Sequence, residues 1–195
     1  MIRLIIGGCR SGKSSFAEKI ARTSDSPDIY YLATAEIRDE EMRDRVEKHQ
    51  GSRPESWQTI EEPYHVSKEV EIIPDRSLVL LDCITLLISN ILLQGDEAGK
   101  DESNYSKSGS ETDVMNELKS LIKVARKKEV ELIMVSNEVG MGLVPNYRLG
   151  REYRDISGRA NQFLAKESDE VYITYAGLPI EIKEMGMNNL ARFER

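Results

Sequence analysis

The sequence predicts an α/β protein, a three-layer sandwich in which helices cover both faces of a mostly parallel sheet with an antiparallel strand at one edge. Three features carry that expectation. Short apolar, β-branched runs recur without polar alternation, as in strands buried on both faces. Stretches with apolar residues at helical spacing lie between them. The connections are short, so the helices themselves serve as crossovers from one strand to the next.

Ile2 to Ile6 is the first strand, stopped by Gly7-Gly8. Phe16, Ala17, Ile20 and Ala21 repeat at helical spacing after Ser14, Ser24 to Pro27 breaks that helix, and Asp28 to Thr34 reads as a second strand. Asp39 to about Gln50 is highly charged, with Met42, Val46 and His49 on one side, the pattern of an amphipathic helix. Gly51, Ser52 and Pro54 end it. Trp57 to Ile60 is a short extended piece ahead of Glu61-Glu62, and Pro63 opens a short helix. Ser77 to Asp82 is a fully buried strand ending on a carboxylate, followed by an apolar helix through Ile84, Leu87, Ile88 and Ile91.

Gly95 to Thr112, rich in Gly, Ser, Asp and Glu, is expected as a solvated loop between two helices, not a domain boundary. Met115, Leu118, Leu121, Ile122 and Ala125 mark a helix reaching Lys128, Val130 to Ser136 the next buried strand, and about Tyr147 to Lys166 a polar helix. Strands near Val171 to Tyr175 and Ile180 to Lys183, joined through Gly177-Leu178-Pro179, read as a hairpin that supplies the antiparallel edge, with a tail after Lys183. No internal repeat occurs.

The chain has 195 residues, 39% hydrophobic and 31% charged, and its mean hydropathy is −0.46. That is the composition of an ordered globular chain, and one domain over residues 1–195 is expected. No apolar run is long enough to span a bilayer. Asp and Glu outnumber Lys and Arg, 34 against 27, for a net charge of −7. This excludes a whole-chain nucleic-acid footprint but leaves room for a phosphate site built from a few cations and backbone N–H groups. The two cysteines, Cys9 and Cys83, are too few for a disulfide scaffold and show no zinc-ligand spacing, and the first strand runs into glycines without a cleavage-site pattern. A cytoplasmic location is the expectation.

Gly7-Gly8-Cys9-Arg10-Ser11-Gly12-Lys13-Ser14 matches G-x-x-x-x-G-K-[ST] between a predicted strand and a predicted helix, the context that motif requires. The sandwich is therefore expected to be of the P-loop NTPase type. Its glycines let the backbone curl so that N–H groups point at phosphate oxygens, the helix N-terminus adds its positive dipole, and Lys13 neutralises the β- and γ-phosphates. Ser14 is the expected Mg²⁺ ligand. Asp82 ends the third apolar strand, where this architecture places a carboxylate that holds Mg²⁺ directly or through water. It also precedes a helix, so it is a candidate N-cap. Glu138 follows a buried strand and is open to two readings, a metal-binding, phosphate-sensing or basic carboxylate, and a solvated loop residue.

The two histidines are His49 and His65. His49 has Arg45 one helical turn before it and Arg53 beyond the helix end. A neutral imidazole is a competent nucleophile toward phosphorus, with guanidinium groups offsetting charge on the phosphoryl oxygens. From spacing alone, a histidine packed on a helix face is the favoured reading. His65, between Tyr64 and Val66, has no cations clustered round it and reads as structural.

Several strings together resemble one family, the bifunctional adenosylcobinamide kinase / adenosylcobinamide-phosphate guanylyltransferases of cobalamin biosynthesis. They are Gly7 to Glu18, Tyr31 to Ala35, Asp39 to Met42 with Arg45, His49, Arg53-Pro54 and Trp57, and Leu81 to Thr85. Further on come Ser136 to Pro145, Arg154-Asp155, Gly158, Asn161-Gln162 and Asp169 to Val171. Asn137-Glu-Val-Gly-Met-Gly142 is the most distinctive. The resemblance implies two reactions: phosphorylation of the aminopropanol hydroxyl of adenosylcobinamide, then transfer of GMP from GTP to adenosylcobinamide phosphate through a guanylylated histidine. By position that histidine is His49. Also implied are GTP, ATP and Mg²⁺, a homotrimer, and guanine-nucleotide contacts at Gly7 to Ser14, at Thr34, Ala35 and Glu36, at Gln50, Gly51, Ser52 and Arg53, and at Glu61 and Asp82, with Glu62 the rival of Glu61.

The chain departs from the family pattern at Cys9, where a small residue is common and a small buried cysteine is expected, in the polar 95–112 loop, and in the tail. A P-loop kinase of another small alcohol and a nucleotide-dependent switch module are the competing readings of the same motif. The His49 segment and the Asn137 to Gly142 string separate them, since neither alternative has an evident use for both.

Overall fold

The computed structural model describes residues 1–36, 54–94 and 109–190. Its strands are β1 (Ile2–Gly7), β2 (Ile29–Ala33), β3 (Gln58–Glu61), β4 (Leu78–Asp82), β5 (Glu131–Asn137), β6 (Glu170–Tyr175) and β7 (Leu178–Glu181). The helices are α1 (Lys13–Arg22), α2 (Val66–Ile72), α3 (Ile84–Leu92), α4 (Glu111–Lys127), α5 (Arg148–Glu167) and α6 (Lys183–Leu190). The sheet runs in the order β3-β2-β4-β5-β1-β6-β7. All neighbours pair in parallel except β6 and β7.

Strand alternation divides the core in two. In β4, Leu78 and Leu80 face α1, where they meet Ile5, Ala17, Ala21, Tyr31, Ile133 and Val135. Val79 and Leu81 face the opposite side, with Leu4, Leu132 and Met134. There α3 contributes Leu87 and Ile88, α4 Leu118 and Leu121, and α5 Ala160 and Leu164. A strand buried on both faces has no use for polar alternation, which is why these segments read as continuous apolar runs.

Three local expectations change. The hairpin turns on Ala176 (φ 51°) and Gly177 (φ 81°) alone. Positive φ at both central residues is the type I′ geometry that matches strand twist, so Leu178 and Pro179 belong to β7. Pro179 is tolerated because β7 is an edge strand. The helix expected from Pro63 starts at Val66, since Glu62 Oε1 accepts from the N–H groups of Tyr64 (2.7 Å) and His65 (2.8 Å) and holds a turn ahead of it. The tail after Lys183 forms α6. The helix expected over Asp39 to Gln50, and most of the 95–112 loop, lie outside the described residues.

Candidate nucleotide-binding site

The carboxyl ends of β1, β2, β4 and β5 converge on the loop between β1 and α1. Arg10 (φ 54°) and Gly12 (φ 95°) adopt left-handed backbone there, turning the loop back over the start of α1. Phe16 N donates to Gly12 O at 2.9 Å, which locks the first helical turn. Lys13 is 9% exposed, and its Nζ donates to Gly8 O at 3.0 Å, so the cation is held across the loop's mouth. Ser14 follows it, half-buried.

A buttress behind this loop is not evident in the motif. Ser11 Oγ and Thr174 Oγ1 of β6 lie 2.8 Å apart, Thr174 Oγ1 donates to Ile6 O at 3.3 Å, and Gly177 N donates to Ser11 O at 2.9 Å. Gly7 is required by this contact: a Cβ there would lie 2.3 Å from Thr174 Oγ1 and 2.8 Å from Thr174 O. The β6–β7 hairpin thus fixes the loop from the side. Sequence reasoning missed these partners because the bonded residues are 163 positions apart.

Asp82 ends β4, and its Oδ2 accepts from Tyr31 OH at 2.8 Å. The N-cap of α3 is Cys83, with no side-chain cap bond, so the N-cap reading of Asp82 is not the one the structure adopts. Beside it, fully buried Thr34 makes a two-way bond with Cys83: its Oγ1 donates to Cys83 O and accepts from Cys83 N, both at 2.8 Å. Thr34 N donates to Asp82 O at 3.1 Å and Thr34 O accepts from Asn90 Nδ2 at 2.7 Å. Every polar group of Thr34 is therefore engaged within the protein, and Ala35 and Glu36 follow it. Glu36 accepts a hydrogen bond from Tyr64 OH.

Glu61 ends β3 opposite Ala33 and is exposed, whereas Glu62 is the residue that holds the turn before α2. Glu138 N donates to Gly7 O at 3.0 Å, placing the start of the Glu138 to Gly142 loop against the P-loop, while its carboxylate accepts from Gly140 N at 2.6 Å. Cys9 is exposed, not buried as expected, because the loop turns its side chain outward; Cys83 is the buried thiol. Burial, with the Asp82 charge beside it, pushes the Cys83 thiol above its usual pKa. His65 is exposed, before α2. Arg45, His49, Gln50, Gly51, Ser52 and Arg53 lie outside the described residues.

On the other face of the sheet a polar network closes the same end. Ser136 Oγ donates to Asn161 Oδ1 (2.6 Å), Asn161 Nδ2 to Asn137 O (3.2 Å), and Asn137 Nδ2 to Thr85 Oγ1 (2.7 Å). Tyr153 OH donates to Thr85 O at 3.1 Å, and burial pushes its phenol above the ordinary pKa. The distinctive Asn137 therefore ties β5 to α3 and α5.

A parallel sheet whose first strand feeds a glycine loop onto a helix N-terminus, with a buried lysine across the loop, is a P-loop NTPase-type nucleotide-binding fold. The fold is similar to that of a Pyrococcus horikoshii OT3 protein of known structure (TM-score 0.53, 12% identity, 93% of this chain and 85% of that one). It is also similar to an ATPase of a bacterial type III secretion system (TM-score 0.52, 13% identity, 96% of this chain and 54% of that one). These likenesses concern the fold. Residues 3–182 match the family model of cobinamide kinase / cobinamide phosphate guanyltransferase, and the chain belongs to that family. Relatives named bifunctional adenosylcobalamin biosynthesis protein are 40% identical in Escherichia coli K12 (94% of this chain, all of that one) and 36% identical in Pseudomonas aeruginosa (92% and 96%).

Proposed function

We propose that this protein phosphorylates the aminopropanol hydroxyl of adenosylcobinamide and then transfers GMP from GTP to adenosylcobinamide phosphate, giving adenosyl-GDP-cobinamide. The observation that carries the reading is the family match over residues 3–182 on a chain whose P-loop is built and braced. GTP or ATP donates in the first step and GTP in the second. The nucleotide's phosphates lie against the backbone of Gly7 to Ser14, with Lys13 moving from Gly8 O to the phosphates as they enter. Cys9, Arg10 and Ser11 form the turn, and Ala35, Glu36, Gln50 to Arg53 and Glu61 are the proposed contacts to the rest of the guanine nucleotide.

Among the described residues no group of three or more His, Cys, Asp or Glu side chains could hold a metal. The donor set here, one hydroxyl and one carboxylate, suits an ion that takes its remaining oxygens from phosphates and water. Ser14 and Asp82 would hold Mg²⁺, which would offset charge on the departing phosphates. In the guanylyl step a His49 ring nitrogen attacks the α-phosphorus, the bond to the bridging oxygen breaks, and pyrophosphate leaves. An oxygen of cobinamide phosphate then attacks the same phosphorus, the N–P bond breaks, and His49 is regenerated. Both reactions are proposed to run in one domain, in the cytoplasm, in a homotrimer. The exposed Leu178, Ile180, Met185 and Leu190 of β7 and α6 support a subunit contact. Among the described residues no helix is long and apolar enough to cross a membrane.

The test is labelling with [α-³²P]GTP. The expected result is an acid-labile protein-bound label that adenosylcobinamide phosphate discharges, lost in His49→Ala and kept in His65→Ala. Label that survives His49→Ala overturns the assignment. Phosphoryl transfer to a small alcohol with no covalent intermediate favours a simple kinase instead.

A further inference from the structure

We propose that Arg154 is the residue that grips the phosphate of the acceptor, and that the wall between α3 and α5 is the side from which the acceptor reaches the P-loop. The inference rests on the functional reading above and adds to it a place for the second substrate.

The starting observation is a buried nitrogen without a partner. Arg154 Nη1 is buried and, among the described residues, has no hydrogen-bond partner. An arginine nitrogen removed from water and left unpaired is costly, and a guanidinium is never relieved by losing its proton. Its fork matches the oxygens of a phosphate.

The fold says where that nitrogen stands. α5 hands over to β6 at the amino edge of the sheet, where Asp169 N donates to Ile2 O at 2.7 Å, so α5 descends from the carboxyl edge. Asn161 meets Asn137 O at the end of β5, and Asn137 is the register partner of Gly7. Arg154 lies seven residues earlier on the same helical face, about 10 Å higher. It therefore overlooks the carboxyl edge at the P-loop, on the face opposite α1. Lys13 and the loop N–H groups serve the nucleotide from the α1 side, which leaves Arg154 for what arrives from the other.

The neighbouring cavity fits that arrival. A pocket of about 380 Å³ opens between the two helices, lined by Leu86, Leu92 and Leu93 of the α3 segment and by Tyr147, Leu149 and Tyr153 at the start of α5. Tyr153 adjoins Arg154 in sequence and reaches Thr85, three residues from Asp82. An amphiphilic acceptor with part of its apolar body in this cavity would present its hydroxyl, and later its phosphate, at Arg154. The phosphoryl group added in the first reaction is then already gripped for the second.

The experiment compares wild type with Arg154→Gln, Arg154→Lys and, as a surface control on the same helix, Arg148→Gln, whose side chain is 86% exposed. KM for adenosylcobinamide phosphate in discharging the guanylyl label should rise about 10- to 100-fold in Arg154→Gln, less in Arg154→Lys, and stay unchanged in Arg148→Gln. With the P-loop filled by a non-hydrolysable GTP analogue, inorganic phosphate should raise the melting temperature of wild type and not of Arg154→Gln. Because the lost group has no partner, the ligand-free melting temperature should not fall. An unchanged acceptor KM overturns the proposal. So does a loss of nucleotide affinity equal to the loss of acceptor affinity, which would assign Arg154 to the nucleotide, or a destabilised variant with normal acceptor kinetics, which would make the residue structural. A wild type that shows the Arg154-dependent phosphate effect but never discharges label onto cobinamide phosphate would instead sink the functional reading and keep the anion site.

Discussion

Removing only the hydroxyl of Thr34 should destabilise the whole carboxyl edge of the sheet. Thr34→Val keeps volume and shape, but it strands the N–H of Cys83, bonded to Thr34 Oγ1 at 2.8 Å in a site with no exposure, while Cys83 O keeps its bond from Leu87 N at 3.1 Å. A buried backbone group left without a partner costs about 1–3 kcal/mol. At about 2–4 °C per kcal/mol for a chain of this size, the melting temperature falls by roughly 2–12 °C. Thr34→Ser keeps both bonds and loses one methyl, about 1 kcal/mol. Urea unfolding followed by circular dichroism measures all three proteins. Nucleotide affinity should fall with stability in the valine variant, because the same latch positions Asp82. A Thr34→Val protein within about 0.5 kcal/mol of wild type, or a serine variant as unstable as the valine one, would refute the reasoning.

Gly7→Ala should weaken nucleotide binding more than tenfold by displacing the loop, and Thr174→Ala should not rescue it, because the added Cβ also meets the Thr174 carbonyl oxygen at 2.8 Å; nucleotide titration of the single and double variants checks this. Exposed Cys9 should react with a thiol reagent first and be protected by bound nucleotide, whereas Cys83, buried and with its thiol pushed up, should react only on unfolding; mass spectrometry of the labelled peptides reads the order. Ser110→Ala should lower the melting temperature by roughly 2–4 °C, since Ser110 Oγ accepts from Asp113 N at 3.2 Å as the N-cap of α4. The hydrogen bonds from the Ser110 side chain and backbone hold the Asp113 carboxyl below the usual range. A carboxyl with a depressed folded pKa stabilises above its unfolded value, near 4, and loses that contribution as pH falls through the folded one, so the gap between Ser110→Ala and wild type should shrink below about pH 4.

The P-loop and the strands were legible because both are local signals: Gly7 to Ser14 is contiguous, and a strand buried on two faces is apolar at every position. His65 and the Asp82 carboxylate also stand where their neighbours in sequence put them. The hairpin limits are not legible in the sequence because Pro179 reads as a turn residue wherever it stands, and only its place on an edge strand makes it β. The exposure of Cys9 is not legible either, because loop curvature, not residue type, decides which side chain turns outward. Glu61 and Glu62 are equivalent in the sequence and differ only once Glu62 is seen bonded to Tyr64 and His65.

By itself the sequence determined the class of fold, the nucleotide loop and, through strings spread over most of the chain, the family. The tertiary structure alone decided what braces that loop, Thr174 and Gly177, what latches the end of β4, Thr34, and what joins β5, α3 and α5 on the far face, Asn137, Asn161 and Tyr153. The reason is physical: covalent order fixes periodicity and short motifs. A buried polar group, by contrast, must find its partner wherever the packed sheet brings one, and that partner can lie anywhere in the chain.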